Sequence, residues 1–311
     1  MSANTDTGEF DPAQTNTQSS GRSGIVSRLI LLAVLLVIAL AYPIAVGTSH
    51  TVSSTISSTL PNKVWADRHI GASVELLEKE QFMGWAADQP GWHPQSRLTA
   101  MPAFQTGISD VISAFAGHRA QFQDSEQRDS DLWHAHTLLQ SVDGQGADDR
   151  VYAAIEALSR FDGRKARALL DDGSRTDLLT GDVSLFLAET TDILDRLEAL
   201  AAAESRGVFN RETVHVYYHA KGKLYAMGSI LGATDASAPE VDGLPEALAT
   251  AQAAFERAIS ETPLTVSNPQ PGGFSFGGND VMVLAFLTGQ VRDELASLLK
   301  ILESQAGVNV G

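Results

Sequence analysis

The chain has 311 residues, no cysteine and a net charge of −16. Without a thiol, disulfide scaffolds, thiolate zinc sites and cysteine nucleophiles are excluded. An acidic chain repels phosphate backbones, so no nucleic-acid partner is expected, and docking flat on an anionic lipid surface is disfavoured.

Residues 1–24 are mostly Ser, Thr, Gln, Asn, Gly and Asp. They hold too little apolar surface to offset the entropy of ordering, which predicts a disordered tail. Residues 25–47 (IVSRLILLAVLLVIALAYPIAVG) follow, with no charge between Leu29 and Val46. A helix needs roughly 20 apolar residues to cross ~30 Å of hydrocarbon, so this segment predicts a transmembrane helix in a lipid bilayer. Pro43 falls in its last turn and Tyr42 near the same edge. Arg22 and Arg28 flank its amino-terminal side, and the next basic residue is Lys63. The positive-inside rule then puts the N-terminus in the cytoplasm and the bulk of the chain outside it. Cleavage as a signal peptide at the small-x-small run Ala39-Leu40-Ala41 is the alternative. Asp6, Glu9 and Asp11 against Arg22 and Arg28 leave only −1 before residue 48, so nearly the whole acidic excess falls beyond Gly47.

Residues 48–61 are rich in Ser and Thr and read as a tether ending at Pro61. Residues 62–311 then carry helical periodicity almost throughout. Ile70, Val74, Leu77 and Phe82 mark one face of a helix over 64–85, and the loop Gln89 to Pro94 ends it. Pro102 suits the first turn of a helix to Phe122, striped by Ile108, Val111, Ile112 and Phe115. Further helices are predicted over 132–142, over 149–170 with a weak point at Gly163, and from Gly181 with Asp182 as its N-cap. The remaining three span 212–231, 246–261 and 280–303, the last capped by Asn279. Leu264-Thr265-Val266 is the one tempting strand, and no strand–helix alternation supports a doubly wound sheet. The expected fold is all-α: one N-terminal transmembrane helix followed by an antiparallel bundle of about eight helices.

Three patterns touch chemistry. Gly273-Phe274-Ser275-Phe276-Gly277 matches the letters of a nucleophile elbow. That device needs a strand and a surrounding sheet, and here a Pro/Gly loop precedes it, so a glycine-rich connector is the better reading. His215 and His219 lie four apart on a predicted helix, a spacing that can hold a metal. A metal-assisted hydrolase built on this pair is the alternative function, although Val216 stands where a zinc peptidase has Glu. His134 and His136 would point apart on a helix. Asp124, Glu126, Asp129 and Asp131, with the pairs Asp148-Asp149 and Asp171-Asp172, read as solvated surface carboxylates. No catalytic residue and no cofactor is assigned.

Several stretches together resemble the bacterial family known as domain of unknown function 2333. They are the early membrane helix, Gly71 to Leu77 (GASVELL), Met101-Pro102 leading into a helix, Val214 to Leu231 (VHVYYHAKGKLYAMGSIL), and the glycine-rich run Gly272 to Asn279. The resemblance spans most of residues 25–303 and implies a single-span inner-membrane protein with no known activity. The expectation is therefore an anchored protein whose helical domain binds or scaffolds a protein partner in the envelope.

Overall fold

The computed structural model describes residues 28–37, 52–56, 63–90, 99–122, 128–170, 174–203, 210–234, 241–263, 266, 268 and 279–306. The chain divides into two units, Met1–Thr48 and Ser49–Gly311. In the first, residues 28–37 form a helix, α1. Its large side chains, Leu29 to Leu32 and Val34 to Val37, are 50–65% exposed. Apolar groups therefore surround α1 on all sides. The rest of the expected membrane segment, 25–27 and 38–47, lies outside the described residues, as does the tail 1–24. Among the described residues no helix is long and apolar enough to cross a membrane.

The regular structure among the second unit's described residues is all helical, with no strand there. Its helices are α2 (Arg68–Met83), α3 (Ala100–Phe122), α4 (Ser130–Leu139), α5 (Ala147–Ala166), α6 (Arg175–Ala202), α7 (Arg211–Gly232), α8 (Leu244–Ser260) and α9 (Asp280–Ala306), with a 3₁₀ turn at Ala86–Asp88. Local chemistry sets most starts. Asp67, Asp129, Ser174 and Asn210 each accept from backbone N–H groups of the first turn of α2, α4, α6 and α7. Gly243, in the left-handed region at φ 80°, turns the chain into α8, where a proline occupies the first turn.

Helix α7 runs through the centre, with α3, α2, α6 and α8 packed around it, while α9 covers α6 and α8. Phe104, Phe115, Phe186, Leu224 and Phe255 are fully buried between them. The α3–α7 crossing is unusually close. A Cβ on Gly107 would collide with the His219 carbonyl oxygen, and one on Gly222 with the Phe104 carbonyl oxygen. Only glycine at both positions lets these backbones touch. Residues 52–56, inside the Ser/Thr-rich stretch, lie against this unit, and Ile56 joins its core.

Two sequence expectations change. Helix α6 begins at Arg175, and Asp182 lies two turns inside it, fully buried. Gly181-Asp182 resembles a start because the six residues before it include Thr, Asp and Thr. Ser174 supplies the real cap, and tertiary packing carries the helix through the glycine. Helix α5 runs through Gly163, as expected, but ends at Ala166 rather than at Leu170.

Candidate functional site

Four buried charges meet where α2, α3, α5 and α6 approach one another. Asp67 caps α2: its Oδ1 accepts from the His69 and Ile70 amides at 3.1 and 3.2 Å. The cap is held in turn by Asp162 of α5, whose Oδ1 accepts from the Asp67 amide at 2.7 Å. From α3, Arg119 donates to both oxygens of Asp182, Nε to Oδ1 at 2.7 Å and Nη2 to Oδ2 at 2.5 Å. This bidentate fork is the strongest geometry an arginine and a carboxylate adopt. Arg119 Nη1 also reaches Asp67 Oδ2 at 3.5 Å, and Lys165 Nζ donates to the same oxygen at 3.0 Å. Lys165 is aimed by the end of α5. Leu169 N–H donates to the Arg164 carbonyl and Ala168 N–H to the Lys165 carbonyl, with Ala168 at φ 53°. These two bonds make a Schellman turn, with alanine in the place usually given to glycine.

His69 links this cluster to an open face. Its Nδ1 lies 2.7 Å from Asp182 Oδ2 and its Nε2 2.9 Å from the Thr234 hydroxyl, just past the end of α7. A carboxylate can only accept, so Nδ1 carries a proton, and Nε2 meets the Thr234 hydroxyl. Hydroxyl, imidazole and carboxylate thus stand in the order used for nucleophile activation. Arg119, however, engages both Asp182 oxygens and sits 3.3 Å from His69 Nδ1. Asp182 is thus committed to a fixed cation, whereas the carboxylate of such a relay serves the imidazole.

The charges are tuned as their partners require. Burial drives the Asp67 carboxyl upward, but Arg119, Lys165 and His69 outweigh it and hold the group well below its ordinary value. Burial likewise opposes ionised Asp182, and Arg119 with His69 reverses that, leaving its pKa lowered. For Arg119 burial pulls down while Asp182 and Asp67 push up more strongly, so it stays charged.

Around this cluster lies a cleft of about 330 Å³. Arg68, Arg119, Lys165 and Arg175 line it with Asp67, His69 and Thr234, and Trp65, Leu178, Leu179 and Ala233 supply apolar wall. The first turns of both α2 and α6 border it. Each helix start adds partial positive charge.

The histidines singled out in the sequence sit elsewhere. His215 and His219 stack with ring centroids 5.9 Å apart, and His219 Nε2 pairs with Asp110 Oδ2 at 2.8 Å. Burial lowers the His215 pKa, and neighbouring His219 adds to the effect. Their cavity, about 140 Å³, is also lined by Arg196 and Lys223, cations that compete with a bound metal. Among the described residues no three His, Asp or Glu side chains gather to hold a metal ion.

His136 bonds to Ser113 through Nδ1. Asp129 is buried, capping α4 and pairing with Arg164 at 2.7 Å, and Asp131 pairs with Arg160 at 3.1 Å. Asp124, Glu126, Asp171, Asp172 and Ser275 lie outside the described residues. The Asp67–His69–Arg119–Lys165–Asp182–Thr234 cluster was not anticipated, because its members come from five helices and match no motif. One pattern pointed toward it. Asp182 is spaced i+4 from Leu178 and i−4 from Phe186, so a carboxylate interrupts an apolar stripe.

No protein-family model, curated protein or solved structure matches the chain.

Proposed function

We propose that the chain is a single-pass inner-membrane protein whose helical domain, held on the periplasmic side, is a binding module for an envelope component received in the cleft at Asp67, His69, Arg119 and Thr234. The anchor is the uncharged segment 25–47, and an α1 ringed by exposed apolar side chains fits a lipid surround. The resemblance to the domain of unknown function 2333 family agrees with an anchor of this kind.

The observation that carries the binding reading is the cleft itself. Charged groups are costly to bury, yet Arg119, Asp67 and Asp182 are almost wholly enclosed. They hold the ends of four helices around an open space lined by polar and apolar groups, the usual make-up of a ligand site. Trp65 is half-buried on its wall. Replacing Trp65 with a photoreactive benzoylphenylalanine in growing cells should yield a discrete adduct on irradiation. The same residue at Tyr152, exposed on α5, should not. No adduct at position 65, or equal labelling at 152, would overturn the reading.

A further inference from the structure

The cleft runs against the charge of the chain that builds it. The whole protein carries −16, yet among the described residues four cations line this one space, Arg68, Arg119, Lys165 and Arg175, against one lining carboxylate, Asp67. Asp182 and Asp162 stand behind the wall, fully or largely buried, and their roles are already fixed: Asp182 holds Arg119, and Asp162 accepts from the Ala66 and Asp67 amides. Even with those two counted, the cations outnumber the carboxylates among the described residues.

The cations divide by task. Arg119 and Lys165 are tied to Asp182 and Asp67, so they raise the local potential while their donors are mostly in use. Arg175 is the first residue of α6, exposed at the rim, and its fork suits a two-oxygen head. Near it are the opening turns of α2 and α6, two positive helix ends on one cavity. This combination repels a metal ion or an organic cation.

Size and lining narrow the ligand further. About 330 Å³ lies at the small end of the ~300–1,000 Å³ typical of ligand pockets, too small for a polymer. Trp65, Leu178, Leu179 and Ala233 would be wasted on a bare inorganic ion, because they offer contact only to an apolar body. We propose that the cleft binds a small amphipathic anion, a phosphate monoester or carboxylate head on an apolar body, with the head toward Arg175 and Lys165 and the body on Trp65, Leu178 and Leu179. Such a head belongs equally to a lipid or to a dissolved metabolite. This assignment rests on the binding reading above and names its ligand class.

Full-length protein in phosphatidylcholine nanodiscs provides the test, with phenyl phosphate, benzoate and inorganic phosphate as probes and tryptophan fluorescence, to which Trp65 contributes, as readout. Phenyl phosphate should give a saturable change, with affinity at least tenfold above that of inorganic phosphate. Arg175→Glu, an exposed change that spares the buried network, should weaken it tenfold or more while helicity and melting temperature hold. An unsaturable response, or equal affinity in Arg175→Glu, would overturn the anion assignment. Replacing part of the phosphatidylcholine by phosphatidic acid, a phosphate monoester on an apolar body, separates the sources: loss of phenyl phosphate binding supports a lipid head, and unchanged binding supports a dissolved anion. A photoadduct at position 65 with a component bearing no anionic group would sink this assignment while leaving the binding reading intact. Failure of the adduct altogether would remove both.

Discussion

Asp182 is the residue on which the buried cluster turns. Asp182→Asn keeps the volume but leaves the Arg119 guanidinium enclosed without its fork partner. Breaking a buried pair from one side costs on the order of 3–5 kcal/mol, and denaturant unfolding should report a loss of that size. The two depressed carboxyls also set the acid limb of stability. Asp67 and Asp182 have folded-state pKa values below the ordinary 3.8, so the unfolded chain takes up protons first as pH falls. Their contribution is complete above about pH 4 and is lost below it, as pH drops toward the folded values. Unfolding followed from pH 5 to 2 should steepen in the wild type and flatten in Asp67→Asn.

Lys221 has the opposite sign. It is 1% exposed, donates to the Glu261 carbonyl at 2.5 Å, and burial lowers its pKa from 10.5 to about 8. The cost of burying its charge is fully present below pH 8 and is relieved as pH rises from there to 10.5. Lys221→Met should therefore remove an upward slope of stability with pH in that window, seen by comparing the two proteins in urea.

At the level of helices, glycines divide into those a neighbour requires and those it ignores. Gly222→Ala drives a methyl into the Phe104 carbonyl at the α3–α7 crossing. Overpacking of this kind costs about 1–3 kcal/mol, enough to override the helix-propensity gain. Gly163, inside α5, has no atom within 4 Å of where a Cβ would stand. Gly163→Ala should accordingly stabilise by about 0.5–1 kcal/mol. Opposite shifts in melting temperature for these two variants check the packing directly.

The helices themselves were legible because 3.6-residue periodicity is local, and the Asn279 cap and the first-turn Pro102 read correctly. The start of α6 was not legible. Asp182 resembles a cap in isolation, and only Arg119, 63 residues away, shows why an aspartate is buried there. For the same reason the cluster stayed hidden: each member is ordinary in its own helix, and the arrangement exists only after packing. His215 and His219 drew notice because their spacing is local. The structure does stack them, but it seats cations in the same cavity.

Across the whole molecule two claims stand side by side, an anchor in the first unit and a cation-lined cleft in the second. If segment 25–47 spans the bilayer, the full chain should stay with membranes through alkaline carbonate washing, and a chain starting at Ser49 should not. Sedimentation of both forms with the washed membranes would not support the span. The cleft makes a more particular demand, because ligand must act on three helix ends that are far apart in sequence. Hydrogen–deuterium exchange of the full chain in phosphatidylcholine nanodiscs, with and without saturating phenyl phosphate, measures this directly. The account predicts added protection confined to residues 65–70, the first turn of α6 and the end of α7 at Thr234, with the His215–His219 turn unchanged. Protection centred on His215 and His219, or none at the three helix ends, would contradict it.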